Sequence, residues 1–448
     1  VIKIKTEQKD LVELIKKDKK EKAKKYIANS YYNYKPKPSG DFEIDVADTN
    51  GIIRTIKIKN DVIVYINYFK LLVNQKIEYL LSKEPTMKAK INYTIMTIMD
   101  MLKILMLNAS LDGTAWLHFY VEDNTLDWVI IKDSEIIPIF DKKKKNIITI
   151  IRYYDLDKDK IKVEIWDVDG VTNIILDKDK VVAEQETTHI QKDVIYNNAV
   201  IDTNNINFSF IPFIPFYNNK DKESDIVGIQ ELLDFYNEIS GGFISNIYKF
   251  QEALTKLKGF SGDEEVLKET TRLMKKYSMV GIPEGGDIEP LTIEIPVEAR
   301  KFMLELLKDA IFRIGRGYDA DKIGDGNITN IVIKSRYFPL DNKANEVEAE
   351  EKKFFEKFVN CINLYYNSNY NAIIDNNRHQ LFNESERLED CIKAIDLVNA
   401  GLLSKETLIT NIPWVTDVKK ELRLIEGQNP PNVNTGQNLP NEEEAKNE

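Results

Sequence analysis

Apolar side chains return every three or four residues in INYFKLLVNQKIEYLLSKEP, where Ile66, Phe69, Leu72, Val73, Ile77, Leu80 and Leu81 share one face until Pro85. That spacing predicts an amphipathic helix. Upstream, KKDKKEKAKKYIANSYYNYKP reads as a basic helix that stops at Pro36 and Pro38. Downstream, IMTIMDMLKILMLNASL from Ile95 is apolar nearly all round but is cut by Asp100 and Lys103. It falls short of the roughly 18 to 20 apolar residues of a membrane span, so a buried core helix is expected.

From Thr114 to about Ile190 the period drops to two. AWLHFYVE, LDWVIIK, EIIPIF, NIITIIRYY, KIKVEIWDV and TNIILD alternate with Asp, Asn, Lys and Gly turns, which predicts an antiparallel meander. His118, between Leu117 and Phe119, is expected at an exposed strand position. DLDKDKIKVEIW from Asp155 opens like a calcium loop but has Lys160 where the sharp turn needs Gly and Trp166 where a bidentate Glu belongs. It reads as a polar hairpin tip, and DVDG at 167–170 as a two-residue hairpin turn.

After IPFIPFYNNKDKESD the helical period returns. Ile226, Ile229, Leu233, Tyr236, Ile239, Phe243, Ile247, Phe250, Leu254 and Leu257 predict one rod of about thirty residues, or roughly 45 Å, capped by Ser224 and Asp225. Residues 259–296 read as a compact insertion, and VEARKFMLELLKDAIFRIGRG as a returning helix with Phe302, Leu306, Leu307, Ile311 and Ile314 on one face. A break is expected at Phe338-Pro339, followed by a long helix with Val347, Phe354, Phe358 and Ile362 inward. Beyond about Asn383 a small helical bundle follows: Gly401 ends one helix, Ser404 caps the next and Pro413 opens a third. Residues 427–448 are poor in apolar side chains and are expected to be disordered. The fold class is α+β.

Composition narrows the function. An apolar share of 43% over 448 residues fills more than one core, and a formal charge of -11 argues against a general nucleic-acid binder. Cys361 and Cys391 make no metal spacing or disulfide framework and read as buried or half-buried free thiols in a reducing compartment. The charged start VIKIKTEQKDLVELIKKDKK does not read as a secretory signal. His118, His189 and His379 are not near a nucleophile motif, and no nucleophile elbow, Walker-A loop, zinc spacing or H-E-x-x-H occurs. No catalytic residue, metal or cofactor is therefore assigned, and the chain is expected not to be an enzyme.

One stretch competes with that reading. RIGRGYDADKIGDG holds G-x-G-x-x-A from Gly315 to Ala320, close to a dinucleotide-binding loop, which would make the chain a nucleotide-binding enzyme. Such a loop needs a strand before it and a helix after it. AIFRI ends a helix and KIGDGNITN does not start one, so Gly315 and Gly317 are expected to stop the returning helix, where a positive φ is wanted.

The order of NYFKLLVNQKIEYLLSKEP, LDGTAWLHFYVED with DSEIIPIFD, IPFIPFYNNKDKESDIVGIQELLDFYNEISG and AGLLSKETLITNIPWVTDVKKELRLIE resembles the portal proteins of tailed phages of Gram-positive bacteria, over about residues 25–426. The resemblance implies a portal fold: residues 1–223 a wing, 224–258 a stem helix, 259–296 a clip, 297–317 the returning stem helix, 318–382 further wing helices and 383–426 a crown. It implies a ring homo-oligomer, usually of twelve subunits, at one capsid vertex, with double-stranded DNA passing through its channel. The implied partners are the terminase large subunit, the major capsid and scaffolding proteins and the head-tail connector, with no membrane. The implied location is the virion, after assembly in the host bacterial cytoplasm. The family's tunnel loop falls near 336–345, here Arg336, Tyr337, Phe338, Pro339, Leu340, Asp341, Asn342 and Lys343, and Lys334, Arg336 and Lys343 are the candidate phosphate contacts. A non-channel structural oligomer is the remaining alternative.

Overall fold

A computed structural model describes the chain between residues 8 and 428, apart from 34–41, 48–52, 59–65, 88–92, most of 259–286, 292–296, 323–328, 379–383 and shorter gaps. It is a mixture of helices and antiparallel sheets in two compact units, one of residues 1–319 with 338–379, the other of 320–337 with 380–448. The expected α+β class holds. The insertion 259–296 and the tail beyond 428 lie almost wholly outside the described residues.

In the larger unit, helices α1 (Gln8–Lys25) and α2 (Ile27–Tyr32) precede α3 (Tyr68–Leu80) and α4 (Ile95–Asp112). Asn67 caps α3 by accepting from the Lys70 N–H at 2.8 Å, and Thr94 caps α4 through the Thr97 N–H. Gly113 ends α4 at φ 80°, and a Cβ there would lie 2.2 Å from the Lys222 carbonyl, so only glycine fits. Among the described residues no helix is long and apolar enough to cross a membrane.

The expected single meander is two sheets. Strands β1 (Thr114–Glu122) and β2 (Thr125–Lys132) form a hairpin. The strands β3 (Ile136–Phe140), β4 (Ile147–Asp155), β5 (Lys160–Trp166), β6 (Val171–Asp177) and β7 (Lys180–Thr187) make a five-stranded antiparallel sheet in chain order. The apolar face of α1, Leu11, Val12 and Ile15, covers that sheet against Ile137, Ile151, Val163, Ile174 and Leu176. The calcium-loop mimic is the β4–β5 hairpin tip, and Val168-Asp169 form a two-residue turn closed by the Asp167 N–H on the Gly170 carbonyl at 3.1 Å.

The first hairpin is completed from far along the chain by β8 (Phe213–Tyr217), which pairs with β1. Pro215 is tolerated because β8 is the edge strand, where a missing N–H costs no ladder bond. This makes β1 central and buries His118, correcting its expected exposure. His118 Nδ1 donates to the Pro212 carbonyl at 3.0 Å and its ring stacks on Phe213; burial holds it neutral, with its pKa down at about 4. His189 is likewise spent on backbone, with Nε2 toward the Asp167 carbonyl and Nδ1 accepting from the Phe208 N–H.

Helix α5 (Gln230–Gln251) starts later than the predicted rod, because Gly228 at φ 84° and a turn over residues 225–229 hold the preceding chain out of the helix. It is followed by a strand, Leu254–Lys258, paired with Asp287–Leu291, so Leu254 and Leu257 are not helical. Helix α6 (Val297–Ile314) returns beside α5. Its inner face is Leu307, Ile311 and Phe312, which join Phe69, Leu72, Val73, Ile229, Leu233 and Tyr236 in one core. Phe302, Leu306 and Ile314, grouped with Leu307 and Ile311 on one face by their spacing, are instead 64%, 50% and 52% exposed. The helix is apolar on two sides, and periodicity alone does not say which one the chain covers.

Helix α7 (Asn330–Tyr366) runs 37 residues, on the order of 55 Å. Its buried side includes Val347, Phe354, Phe358 and Ile362, as expected, and Phe119 stacks on Phe358 at 5.5 Å. Cys361 on this helix is buried, which pushes its thiol up to about 12.

In the smaller unit, α8 (Glu384–Asn399) ends with Gly401 at φ 73°. Ser404 then caps α9 (Lys405–Thr410), accepting from the Thr407 N–H at 3.0 Å, both as expected. Helix α10 spans Val418–Gln428; Pro413 lies outside the described residues.

Candidate functional site

The expected break at Phe338-Pro339 is absent: residues 336–343 all lie inside α7, with Pro339 in its interior. Proline removes one backbone donor and crowds the preceding turn. One face nonetheless keeps the helix in place, since Tyr337, Leu340, Ala344 and Val347 are all buried at helical spacing. Packing of that face outweighs the cost of one residue, so the segment named as a loop is a helix. Lys334, Phe338 and Asn342 are exposed, while Arg336, Pro339 and Asp341 are half-buried.

Lys343 is not a phosphate contact. It is 6% exposed, its Nζ donates to the Gly315 carbonyl at 3.0 Å, and it stands 3.4 Å from Asp225. Asp225 also takes an ion pair from Lys76 of α3 at 2.5 Å. Asn218 completes the set: its Oδ1 accepts from Lys76 at 2.7 Å and its Nδ2 donates to Asp225 at 2.9 Å. The expected N-cap Asp225 is therefore the central anion of a buried joint between α3, the turn before α5, the end of α6 and α7. Ser224 similarly turns inward to the Ser110 carbonyl.

Two ammonium groups share one carboxylate, leaving a buried positive excess. The Gly315 carbonyl at the negative end of the α6 dipole offsets part of it. Burial pushes the Lys76 ammonium down to about 8, against the opposing pull of Asp225. Burial would push the Asp225 carboxyl up, but Lys343 and Lys76 beside it outweigh that and hold it well below the ordinary carboxylate range.

The glycine-rich stretch lies against this joint. The Gly317 N–H bonds the Phe312 carbonyl at 2.9 Å and the Arg316 N–H the Arg313 carbonyl at 3.3 Å, a Schellman ending whose left-handed residue is Arg316 at φ 55°, not a glycine. The glycines answer close packing: a Cβ on Gly315 would meet Leu72 at 2.7 Å, and one on Gly317 would meet it at 2.1 Å. A helix precedes the loop, so its nearest pole presents carbonyls, the wrong polarity for a phosphate. The nucleotide reading of Gly315 to Ala320 is overturned. Arg316 instead forms a two-pronged pair with Glu346 of α7, both contacts at 2.8 Å.

Farther along α7, Tyr79 donates to Asp341, and Arg378 pairs with Asp341 and Glu348. Glu351 is fully buried; Asn376 donates to its Oε2 at 2.5 Å, while its Oε1 and the Asn376 Oδ1 make no hydrogen bond among the described residues. Burial pushes this carboxyl up to about 7 despite the lowering effect of Asn376.

Sequence reasoning missed Asp225 and Lys76, although a signal existed. Lys76 stands at the core-facing phase of Phe69, Leu72, Val73 and Leu80, and Lys343 at that of Leu340 and Val347. A lysine in the apolar phase of each of two helices calls for a buried anion between them.

The chain belongs to the phage portal proteins. The matching family model is described as "Phage portal protein, SPP1 Gp6-like" and spans residues 12–430. A portal protein of Clostridium phage phiCD119 is 27% identical over 79% of this chain and 76% of its own length. The portal protein of Bacillus phage SPP1 is 26% identical over 80% and 74%. Among solved structures, the neck of a native GTA particle computed with C12 symmetry covers 77% of this chain and 88% of its own at 9% identity, with a TM-score of 0.40, a loose likeness.

Proposed function

We propose that this chain forms a ring of identical subunits at one capsid vertex, through which double-stranded DNA is packaged and later released. Family membership supports the reading, and one structural observation carries it. α6 presents Phe302, Met303 and Leu306 outward, 64%, 44% and 50% exposed among the described residues. A soluble chain rarely leaves such a row bare, and a head-to-tail contact between copies would close it into a ring.

In this reading α5 and α6 are the stem, 259–296 the clip, α1–α4 with the sheets the wing, and α8–α10 the crown. The terminase large subunit, the capsid and scaffolding proteins and the head-tail connector are its partners. Assembly takes place in the host cytoplasm and the ring resides in the virion. The chain's role is mechanical rather than catalytic. The segment offered to the channel is helical, with Phe338 and Asn342 exposed and Lys334 and Arg336 toward its start making brief phosphate contacts. Images of the purified full chain are expected to show rings with a central hole wide enough for duplex DNA. A monomer at high concentration, or an oligomer without such a hole, overturns the proposal.

A further inference from the structure

The hairpin turn between β3 and β4 carries four consecutive exposed lysines, Lys142 to Lys145, on a chain of net charge -11. The turn is rigidly built. The Lys144 N–H bonds the Asp141 carbonyl at 2.8 Å, and the Asp141 carboxylate accepts from the Lys145 N–H and the Asn146 amide. Lys144 sits at φ 53°, where glycine or asparagine would be less strained.

A second turn converges on the first. Asn219 and Glu223 exchange bonds at 2.9 and 3.0 Å, Lys220 and Lys222 are exposed, and Lys222 again has a left-handed φ of 59°. The Lys222 Nζ lies 4.4 Å from the Tyr217 ring centroid and 5.5 Å from that of Phe140, the residue before the lysine turn. A left-handed lysine also occurs at Lys178 in the β6–β7 turn, but its Nζ stands 3.8 Å from the Asp159 carboxylate.

Asp141, Asp221 and Glu223 leave the patch net positive, and among the described residues no carboxylate pairs with Lys142 to Lys145 or Lys220. Lysine is depleted at protein–protein interfaces, whereas mobile ammonium groups suit closely spaced phosphates. Phe140 and Tyr217 lie under Lys222, which leaves bases no stacking platform and favours a duplex backbone over single strands.

We propose that Lys142 to Lys145, Lys220 and Lys222 form a sequence-independent binding surface for the phosphate backbone of double-stranded nucleic acid. Nothing in the argument requires a ring, so it goes beyond the channel reading and can fail separately from it.

The test uses the full chain and a labelled duplex of about 30 base pairs, with anisotropy followed between about 50 and 200 mM salt. Replacing Lys142, Lys143, Lys145 and Lys220 by Ser is expected to weaken binding at least about tenfold and to lower the salt slope by about one per lost phosphate contact. Lys144→Gly relieves the backbone, so it is expected to leave the melting temperature unchanged or higher while weakening binding about two- to threefold. Lys178→Ser with Lys180→Ser, at the opposite end of the same sheet, is expected to change nothing. Unaltered binding by the fourfold variant overturns the proposal, as does an equal loss in the control pair. Displacement of the duplex by poly-L-glutamate at equal charge, with the same lysine dependence, would also overturn it, assigning the patch to an acidic protein surface.

Discussion

The joint around Asp225 and the outer face of α6 invert the usual distribution in opposite ways. One places three charged side chains inside; the other leaves Phe302 and Leu306 outside. The buried charges find their partners within a single chain, down to the amide of Asn218. The exposed apolar row has no such partner among the described residues. The first region is complete within the described chain, and in the proposed ring a neighbouring copy completes the second.

The strongest way to break that contrast is to remove the anion. Asp225→Ala leaves Lys76 and Lys343 facing each other in a dry site, and urea unfolding is expected to show a loss of about 3–5 kcal/mol. A loss under about 1 kcal/mol would mean that water enters the joint and the charges are not truly buried.

Glu351 sharpens the comparison, because it is a buried carboxyl whose second oxygen makes no hydrogen bond among the described residues. Its ordinary value is 4.5 and burial raises it to about 7 in the folded chain. Between those values the folded state holds the extra proton, so the associated stability is complete below about pH 4.5 and is lost as pH rises through 7. The loss approaches about 3 kcal/mol. Glu351→Gln should flatten the fall in stability between pH 5 and 8, and an unchanged slope in the variant would show that another group carries it.

Gly317→Ala forces a methyl against Leu72 beside the joint and is expected to cost about 1–3 kcal/mol, read from the denaturation midpoint. A neutral result would show that α3 yields. On the apolar face the effect on the monomer is expected to be smallest: Phe302→Ser with Leu306→Ser should change unfolding by no more than about 0.5 kcal/mol. The same pair should abolish self-association in sedimentation, and rings that survive it would place the subunit contact elsewhere.

Helix α3 is legible because its apolar residues repeat at one clear period, and α4 because its stretch is apolar nearly all round yet cut by Asp100 and Lys103. What escaped depended on contacts between distant stretches. Pro215 looks like a boundary until β1 is seen to need an edge partner, and that pairing is also what buries His118. Pro339 looks like a break because its local cost is known from sequence, whereas the burial of Leu340, Ala344 and Val347 that offsets it is not. Gly315 and Gly317 were placed correctly at a helix end for the wrong reason, since the close neighbour is Leu72, far away in sequence. At the candidate site, the residue types around 336–343 do not reveal that the segment is helical or that Lys343 faces inward.

Lys343 has one more consequence, for the order of folding. Its amine donates to the carbonyl of Gly315, 28 residues earlier and just past the end of α6, and Lys76 meets its anion across a separation of 149 residues. Loop closure must precede such contacts, so the joint belongs to the late side of the folding barrier. On a ribosome Lys76 emerges long before Asp225 and Lys343, and it stays hydrated while α4 and β1 to β7 are made. Changes in the joint should therefore speed unfolding far more than they slow folding, making it a clasp that closes last and opens first.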